Sequence, residues 1–121
     1  MTPSTPILVV DDDEDILGAL SDILAYAGYE VLTAQHGAQA LDILSRQRIR
    51  IILLDMKMPV MDGWAFAEAY RCRVNNHVPI VVLTAANEPA RWAAEVQANA
   101  YLAKPFEMDD LLTLIDSLVS G

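Results

Sequence analysis

The chain has 121 residues, 54% of them hydrophobic and 21% charged, with 8 Lys+Arg against 17 Asp+Glu for a formal net charge of −9. That length suits one domain able to bury about two-thirds of its unfolded surface, and the apolar fraction excludes a disordered acidic tail. Phosphate backbones and anionic lipid are bound through Lys and Arg, so direct nucleic-acid binding is not expected.

Met1–Pro6 lacks the charged and apolar regions of a signal peptide and reads as an N-terminal extension, with one domain over 7–120. Ile7–Val10 is an apolar run of the kind buried on both faces of a parallel sheet. From Asp15, the expected cap, Ile16, Leu20, Ile23, Leu24 and Ala27 recur at helical spacing until Gly28 offers a stop. Tyr29–Ala34 predicts a second strand, and Ala38, Leu41, Ile43 and Leu44 mark a second helix after Gly37. Ile51–Leu54 predicts a third strand ending at Asp55. A loop with Pro59 and the turn Asp62-Gly63 follows, Asp62 being placed to cap a third helix through Trp64, Ala67 and Ala69. Pro79–Thr84 predicts a fourth strand. Asn87 as N-cap and Pro89 in the first turn open a fourth helix to about Gln97. Ala100–Ala103 predicts a short fifth strand. Beyond Lys104-Pro105, Met108, Leu111, Leu112, Ile115, Leu118 and Val119 form an amphipathic fifth helix.

Five strand–helix pairs with short connections predict an α/β fold, an open doubly wound five-stranded parallel sheet with helices on both faces. An eight-pair barrel needs about 200 residues or more. The apolar runs fall far short of the roughly 20 residues that span a bilayer, so no membrane insertion is expected. Cys72 is the single cysteine, which excludes an intrachain disulfide and suits the cytoplasm.

In open α/β sheets ligands bind beyond the carboxyl ends of the strands. Asp11 and Asp12 follow strand 1, Asp55 follows strand 3, Thr84 ends strand 4 and Lys104 follows strand 5. Two carboxylates about 4 Å apart repel by about 4 kcal/mol at an effective dielectric near 20. Such a cluster persists by raising a pKa, by pairing with Lys104 or by binding a cation. All-oxygen donors suit Mg²⁺, with Mn²⁺ as an alternative, and the lack of thiolate or histidine at these strand ends argues against zinc and copper.

Four segments carry a family resemblance: Ile7-Leu8-Val9-Val10-Asp11-Asp12-Asp13, Leu54-Asp55 through Pro59 to Asp62-Gly63, Val81-Val82-Leu83-Thr84-Ala85, and Lys104-Pro105-Phe106. In order and spacing they resemble the receiver domain of two-component response regulators, of the single-domain chemotaxis type, over essentially the whole chain. The resemblance implies a flavodoxin-like (βα)5 fold and a phosphoacceptor signalling module of a two-component system or phosphorelay. It implies that Asp55 accepts a phosphoryl group from a sensor histidine kinase or histidine phosphotransfer protein. Asp12 would ligate Mg²⁺ directly, Asp11 mostly through water, and Lys57 through its backbone carbonyl. Thr84 and Lys104 would hold the phosphoryl group, and Pro105 would place the lysine through a cis bond. Thr84 moving inward would make room for Tyr101 and repack the face of helix 4, strand 5 and helix 5 for a downstream protein target. The only reactions expected are phosphorylation and dephosphorylation of the chain's own Asp55.

Several residues have plainer readings. Asp13 and Glu14 read as solvated or docking residues, Asp62 and Gly63 as a structural turn, and Tyr101 also as a fixed edge aromatic. Lys57 lies where it would affect dephosphorylation, and Ala86 is too small to shield attacking water. His36 and His77 read as surface residues, Cys72 as a thiol without chemistry, and Met56, Met58 and Met61 as packing. Trp92 is open between core and partner contact.

Two departures from the family pattern stand out. Gln97-Ala98 replaces the usual Gly-Ala pair, so the usual turn is expected to be absent. Thr84 and Lys104 are 20 positions apart, about two fewer than is usual, so a short, alanine-rich helix 4 (Ala90, Ala93, Ala94) of low local stability is expected.

A receiver excised from a hybrid kinase or multidomain regulator is the nearest alternative. A haloacid-dehalogenase-type phosphatase also uses a strand-end Asp, but wants a second acid where this chain has Lys57. A flavodoxin-like cofactor binder would need a glycine-rich loop after strand 1, and acids occupy that place.

Overall fold

The computed structural model describes residues 5–56, 62–73, 78–84, 89–104 and 106–120. Strands and helices alternate: β1 (Ile7–Val10), α1 (Glu14–Tyr26), β2 (Val31–Ala34), α2 (Gly37–Arg46), β3 (Ile51–Asp55), α3 (Gly63–Arg73), β4 (Ile80–Thr84), α4 (Pro89–Glu95), β5 (Ala100–Ala103) and α5 (Met108–Ser120). The strands form one parallel sheet in the order β2-β1-β3-β4-β5, the architecture the alternation predicts.

Successive side chains of a strand point to opposite faces, and here each face meets its own helices. Ile7, Val9, Ile51, Leu53, Val81 and Leu83 pack with Leu17, Leu20 and Leu24 of α1 and Leu111 and Ile115 of α5. Leu8, Val10, Ile52, Leu54, Ile80 and Val82 pack instead with Ala40 and Leu41 of α2, Phe66, Ala67 and Tyr70 of α3, and Ala93 of α4. β1, β3 and β4 are buried along their whole length, which is why they read as unbroken apolar runs. Each Leu, Ile or Val removed from water in this way contributes roughly 1.5–3 kcal/mol.

The helix ends differ from the sequence reading in three places. The cap of α1 is Asp13, not Asp15: its carboxylate accepts the Asp15 and Ile16 amides at 2.9 and 3.4 Å. Helix α1 closes through Gly28 at φ 99°, and the Tyr29 amide donates to the Leu24 carbonyl, so Tyr29 belongs to this turn and β2 begins at Val31. Helix α4 stops at Glu95, and the turn expected to be missing is present. Gln97 takes the left-handed conformation at φ 55°, while the Ala98 amide reaches the Ala93 carbonyl at 2.8 Å and the Gln97 amide the Ala94 carbonyl at 3.1 Å. This is the hydrogen-bond pattern a glycine usually completes, made here by a residue for which that conformation costs about 1–2 kcal/mol. His36, in the β2–α2 connection, caps α2 by accepting the Gln39 amide on Nδ1 at 3.2 Å.

Tyr70 shows how α3 is joined to β4. The ring is 1% exposed and lies parallel to Phe66, with centroids 6.0 Å apart. Its hydroxyl oxygen accepts the Val78 amide at 2.7 Å, just ahead of β4. Burial pushes the phenol pKa up, against smaller opposite effects of the Val78 amide and Arg71. The folded state therefore holds this proton more tightly than the unfolded chain. That contribution is complete below pH 10, the ordinary tyrosine value, and is lost as pH rises through the higher folded value. Replacing Tyr70 by Phe leaves the Val78 amide unpaired and should cost about 1–3 kcal/mol in urea unfolding at neutral pH. The same measurement repeated above pH 10 should show a shallower alkaline loss of stability in the variant.

Candidate functional site

The site follows from where the strands end. β1 and β3 are neighbours, and the chain leaves β1 for α1 on one face and β3 for α3 on the other, so a crevice opens at their carboxyl ends. Val10 is paired in register with Leu54, which sets Asp11 and Asp55 side by side one residue further on. The Asp11 amide is tied to the Ala34 carbonyl at 3.0 Å. On the other side Asp55 is in register with Leu83 and Thr84 with Ala103, and the Lys104 amide donates to the Thr84 carbonyl at 2.8 Å.

These backbones bring together the residues singled out at the strand ends. One carboxylate oxygen from each of Asp11, Asp12 and Asp55 lies within 4.8 Å of the others. Asp11 and Asp55 are 2% and 8% exposed, Thr84 is buried, and Asp12 faces solvent. The Lys104 ammonium enters between the two buried acids, 2.8 Å from Asp11 Oδ2 and 3.8 Å from Asp55 Oδ1. Among the described residues no buried side-chain N or O atom lacks a hydrogen-bond partner. The ammonium offsets the repulsion of carboxylates that have been withdrawn from water. Hard oxygens converging at an open edge are a donor set for Mg²⁺.

Sequence reasoning passed over two positioning features. The Asp13 amide donates to Asp11 Oδ1 at 3.0 Å, while its own carboxylate caps α1, so Asp13 links the acidic pair to the helix. The Asp-x-Asp spacing, which favours a side-chain-closed turn, is the signal for this. Gly63 is the second. Its amide donates to the Met56 carbonyl at 2.9 Å, and a Cβ there would stand 2.6 Å from Met56 Sδ and 2.8 Å from Met56 Cα. Asp62 caps α3 through the Ala65 amide at 2.9 Å. The residue after Asp55 is thus pressed against the start of α3, with no room for any side chain but hydrogen.

Tyr101 stands on the edge strand β5, 46% exposed and in register with Val82. Trp92 is partly buried against the α2–α4 core, with its ring edge-on to Trp64. Cys72 is exposed on α3. Lys57, Met58, Pro59, Met61, His77, Ala86, Asn87 and Pro105 lie outside the described residues.

An acid-lined switch point with a lysine reaching in from the last strand defines a class. Residues 7–116 match the response regulator receiver domain, and the chain belongs to that family of two-component signalling domains. It is 40% identical over 118 residues to the transcriptional regulatory protein PrrA of Mycobacterium tuberculosis, covering 96% of this chain and 50% of that protein. The chain thus spans about half the length of the curated relatives it matches. Among solved structures, the chemotaxis response regulator CheY4 of Vibrio cholerae aligns with a TM-score of 0.86 and 34% identity, over 96% of this chain and 99% of that one. The receiver domain of a Pseudomonas aeruginosa sensor histidine kinase, with a magnesium ion coordinated in its active-site cleft, aligns at 0.89 and 32% over 98% and 100%.

Gly63→Ala tests the packing beside Asp55. Backbone and sulfur must both yield, so a loss of about 1–3 kcal/mol is expected in denaturant unfolding. Gly18, which has nothing within 4 Å of its added Cβ, is the control, and Gly18→Ala should match or exceed the parent in stability because it lies inside α1.

Proposed function

We propose that Asp55 is the phosphoacceptor of this receiver, taking a phosphoryl group from a sensor histidine kinase or histidine phosphotransfer protein. The observation that carries the reading is the convergence of Asp11, Asp12 and Asp55 on one point, with Lys104 3.8 Å from Asp55 Oδ1. Asp11, Asp12 and Asp55 would hold Mg²⁺, and likeness to the family adds the Lys57 backbone carbonyl. When bound, the ion supplies positive charge that neutralises the phosphoryl oxygens during transfer.

The remaining roles belong to the chain's own groups. A carboxylate oxygen of Asp55 attacks phosphorus in line, the new P–O bond forms as the donor's P–N bond breaks, and the histidine leaves with the nitrogen electron pair. The Lys104 ammonium, already fixed between the two acids, meets charge that develops on the phosphoryl oxygens without having to reorganise. The Thr84 hydroxyl donates to one of those oxygens. Water attacking the same phosphorus forms a new P–O bond as the bond to Asp55 breaks, releasing inorganic phosphate and a proton and returning Asp55 to its carboxylate, so the mark is transient and the chain's own Asp55 is the group turned over.

A dianionic group beside Thr84 and Lys104 is a local electrostatic change able to bias a two-state element. In this reading Thr84 and Tyr101 are the switch, and the surface of α4, β5 and α5 meets a downstream protein. Likeness to a relative named a transcriptional regulatory protein suggests that the eventual output is transcription. The net charge of −9 favours a protein partner for this surface over direct contact with nucleic acid. Among the described residues no helix is long and apolar enough to cross a membrane, and the cytoplasm is the proposed compartment.

Incubation with Mg²⁺ and a small acyl-phosphate donor, followed by intact-mass measurement, tests the reading. One phosphoryl adduct is expected. Asp55→Asn should abolish it, and Lys104→Ala should slow its appearance by about 100-fold. An adduct retained at full yield in Asp55→Asn would overturn the assignment.

A further inference from the structure

Helix α4 has little of its own to hold it in place. It is seven residues long, and Ala93 is the side chain it buries fully, with Val96 following in the turn. It packs on β4 and β5, and a small set of side-chain contacts joins it to α3 as well. The rings of Trp64 and Trp92 meet edge to face with centroids 4.7 Å apart and planes at 66°. Trp64 Nε1 donates to Glu95 Oε1 at 3.3 Å. Arg71 then closes the far end, donating from Nη1 to Gln97 Oε1 at 2.7 Å and from Nη2 to the Val96 carbonyl. Gln97 accepts this bond from the left-handed conformation that glycine would adopt at no cost.

Both helices hang from the candidate site. Helix α3 begins eight positions after Asp55 and α4 five positions after Thr84. A phosphoryl group on Asp55 would give the end of β4 new contacts, and α4, packed directly on β4 through Ala93, lies next to any displacement there. The far end of α4 is also tied to α3, so a shift of α4 would load the Trp64–Trp92 contact and the Arg71 bonds.

We propose that this α3–α4 fastening is a brake: it stabilises the unmodified arrangement and raises the cost of the phosphorylated one. The inference rests on the phosphoacceptor reading of Asp55. By linkage, contacts made only in the unmodified state weaken binding of whatever favours the other state. Loosening the brake should therefore strengthen phosphoryl binding even where it weakens the fold. A merely structural contact gives no such opposition of signs.

Two variants that retain both tryptophans separate the possibilities. Arg71→Met removes both bonds to the α4 end. Gln97→Gly removes one acceptor while relieving the backbone cost, so it keeps a stable turn. Beryllofluoride, a phosphoryl mimic, is titrated into the 121-residue chain with Mg²⁺, read by tryptophan fluorescence and independently by ¹⁹F NMR, with urea unfolding in parallel. The parent should show a fluorescence change that tracks occupancy. Both variants should bind about fivefold to tenfold more tightly, Arg71→Met with lower stability and Gln97→Gly without that loss. Unchanged or weaker affinity in either variant overturns the brake. Absence of beryllofluoride binding in the parent would instead overturn the phosphoacceptor reading, and the brake with it.

Discussion

Two carboxylates, Asp11 and Asp55, are withdrawn from water at the ends of neighbouring strands, and the positive charge of Lys104 is set between them. Everything at the carboxyl edge of the sheet serves that constraint. Register between β1 and β3 sets the two acids side by side. The parallel order carries β5 to where Lys104, 93 positions away in sequence, reaches Asp11 at 2.8 Å. The ammonium sits closer to Asp11 than to the proposed acceptor, so Asp55 keeps a face toward the crevice while the repulsion is offset. A buried ion pair of this kind contributes little net stability but is costly to break from one side. It is better understood as the means by which the fold tolerates a buried acidic cluster.

The two faces of the sheet do different work. Helices α1 and α5 are held by long apolar side chains, leucine and isoleucine, on one side. The opposite side holds α2 and α3 through Leu41, Phe66 and Tyr70, but α4 mainly through alanine, indole edges and an arginine. Apolar burial is non-directional and tolerates small slides, whereas ring edges and guanidinium bonds are directional and fail abruptly when geometry changes. Helix α4 is thus joined to α3 by contacts whose strength depends on exact geometry.

The sequence already reveals much of this, for identifiable reasons. Strands buried on both faces are mostly apolar, so β1, β3 and β4 stand out, and the polar residues at or just past their carboxyl ends make up the candidate site. The edges are harder. Tyr29 reads as strand because an aromatic before Val31 fits that pattern, yet its amide completes the end of α1. The cap of α1 is ambiguous because any of several consecutive acids could serve, and only backbone direction selects Asp13. The Gln97 turn is invisible because its usual marker is glycine. Trp64, Arg71, Glu95 and Val96 carry no joint signal, since their partners lie 25 to 31 positions apart on two helices whose packing has no short-range signature.

The contact between Met56 and Gly63 has a consequence for how such a chain can change. Its two ends are pinned to each other by one backbone bond and by a fit that admits no side chain on Gly63. A substitution at Gly63 would therefore be felt at Met56, the neighbour of Asp55 in the chain, without touching any acid of the crevice.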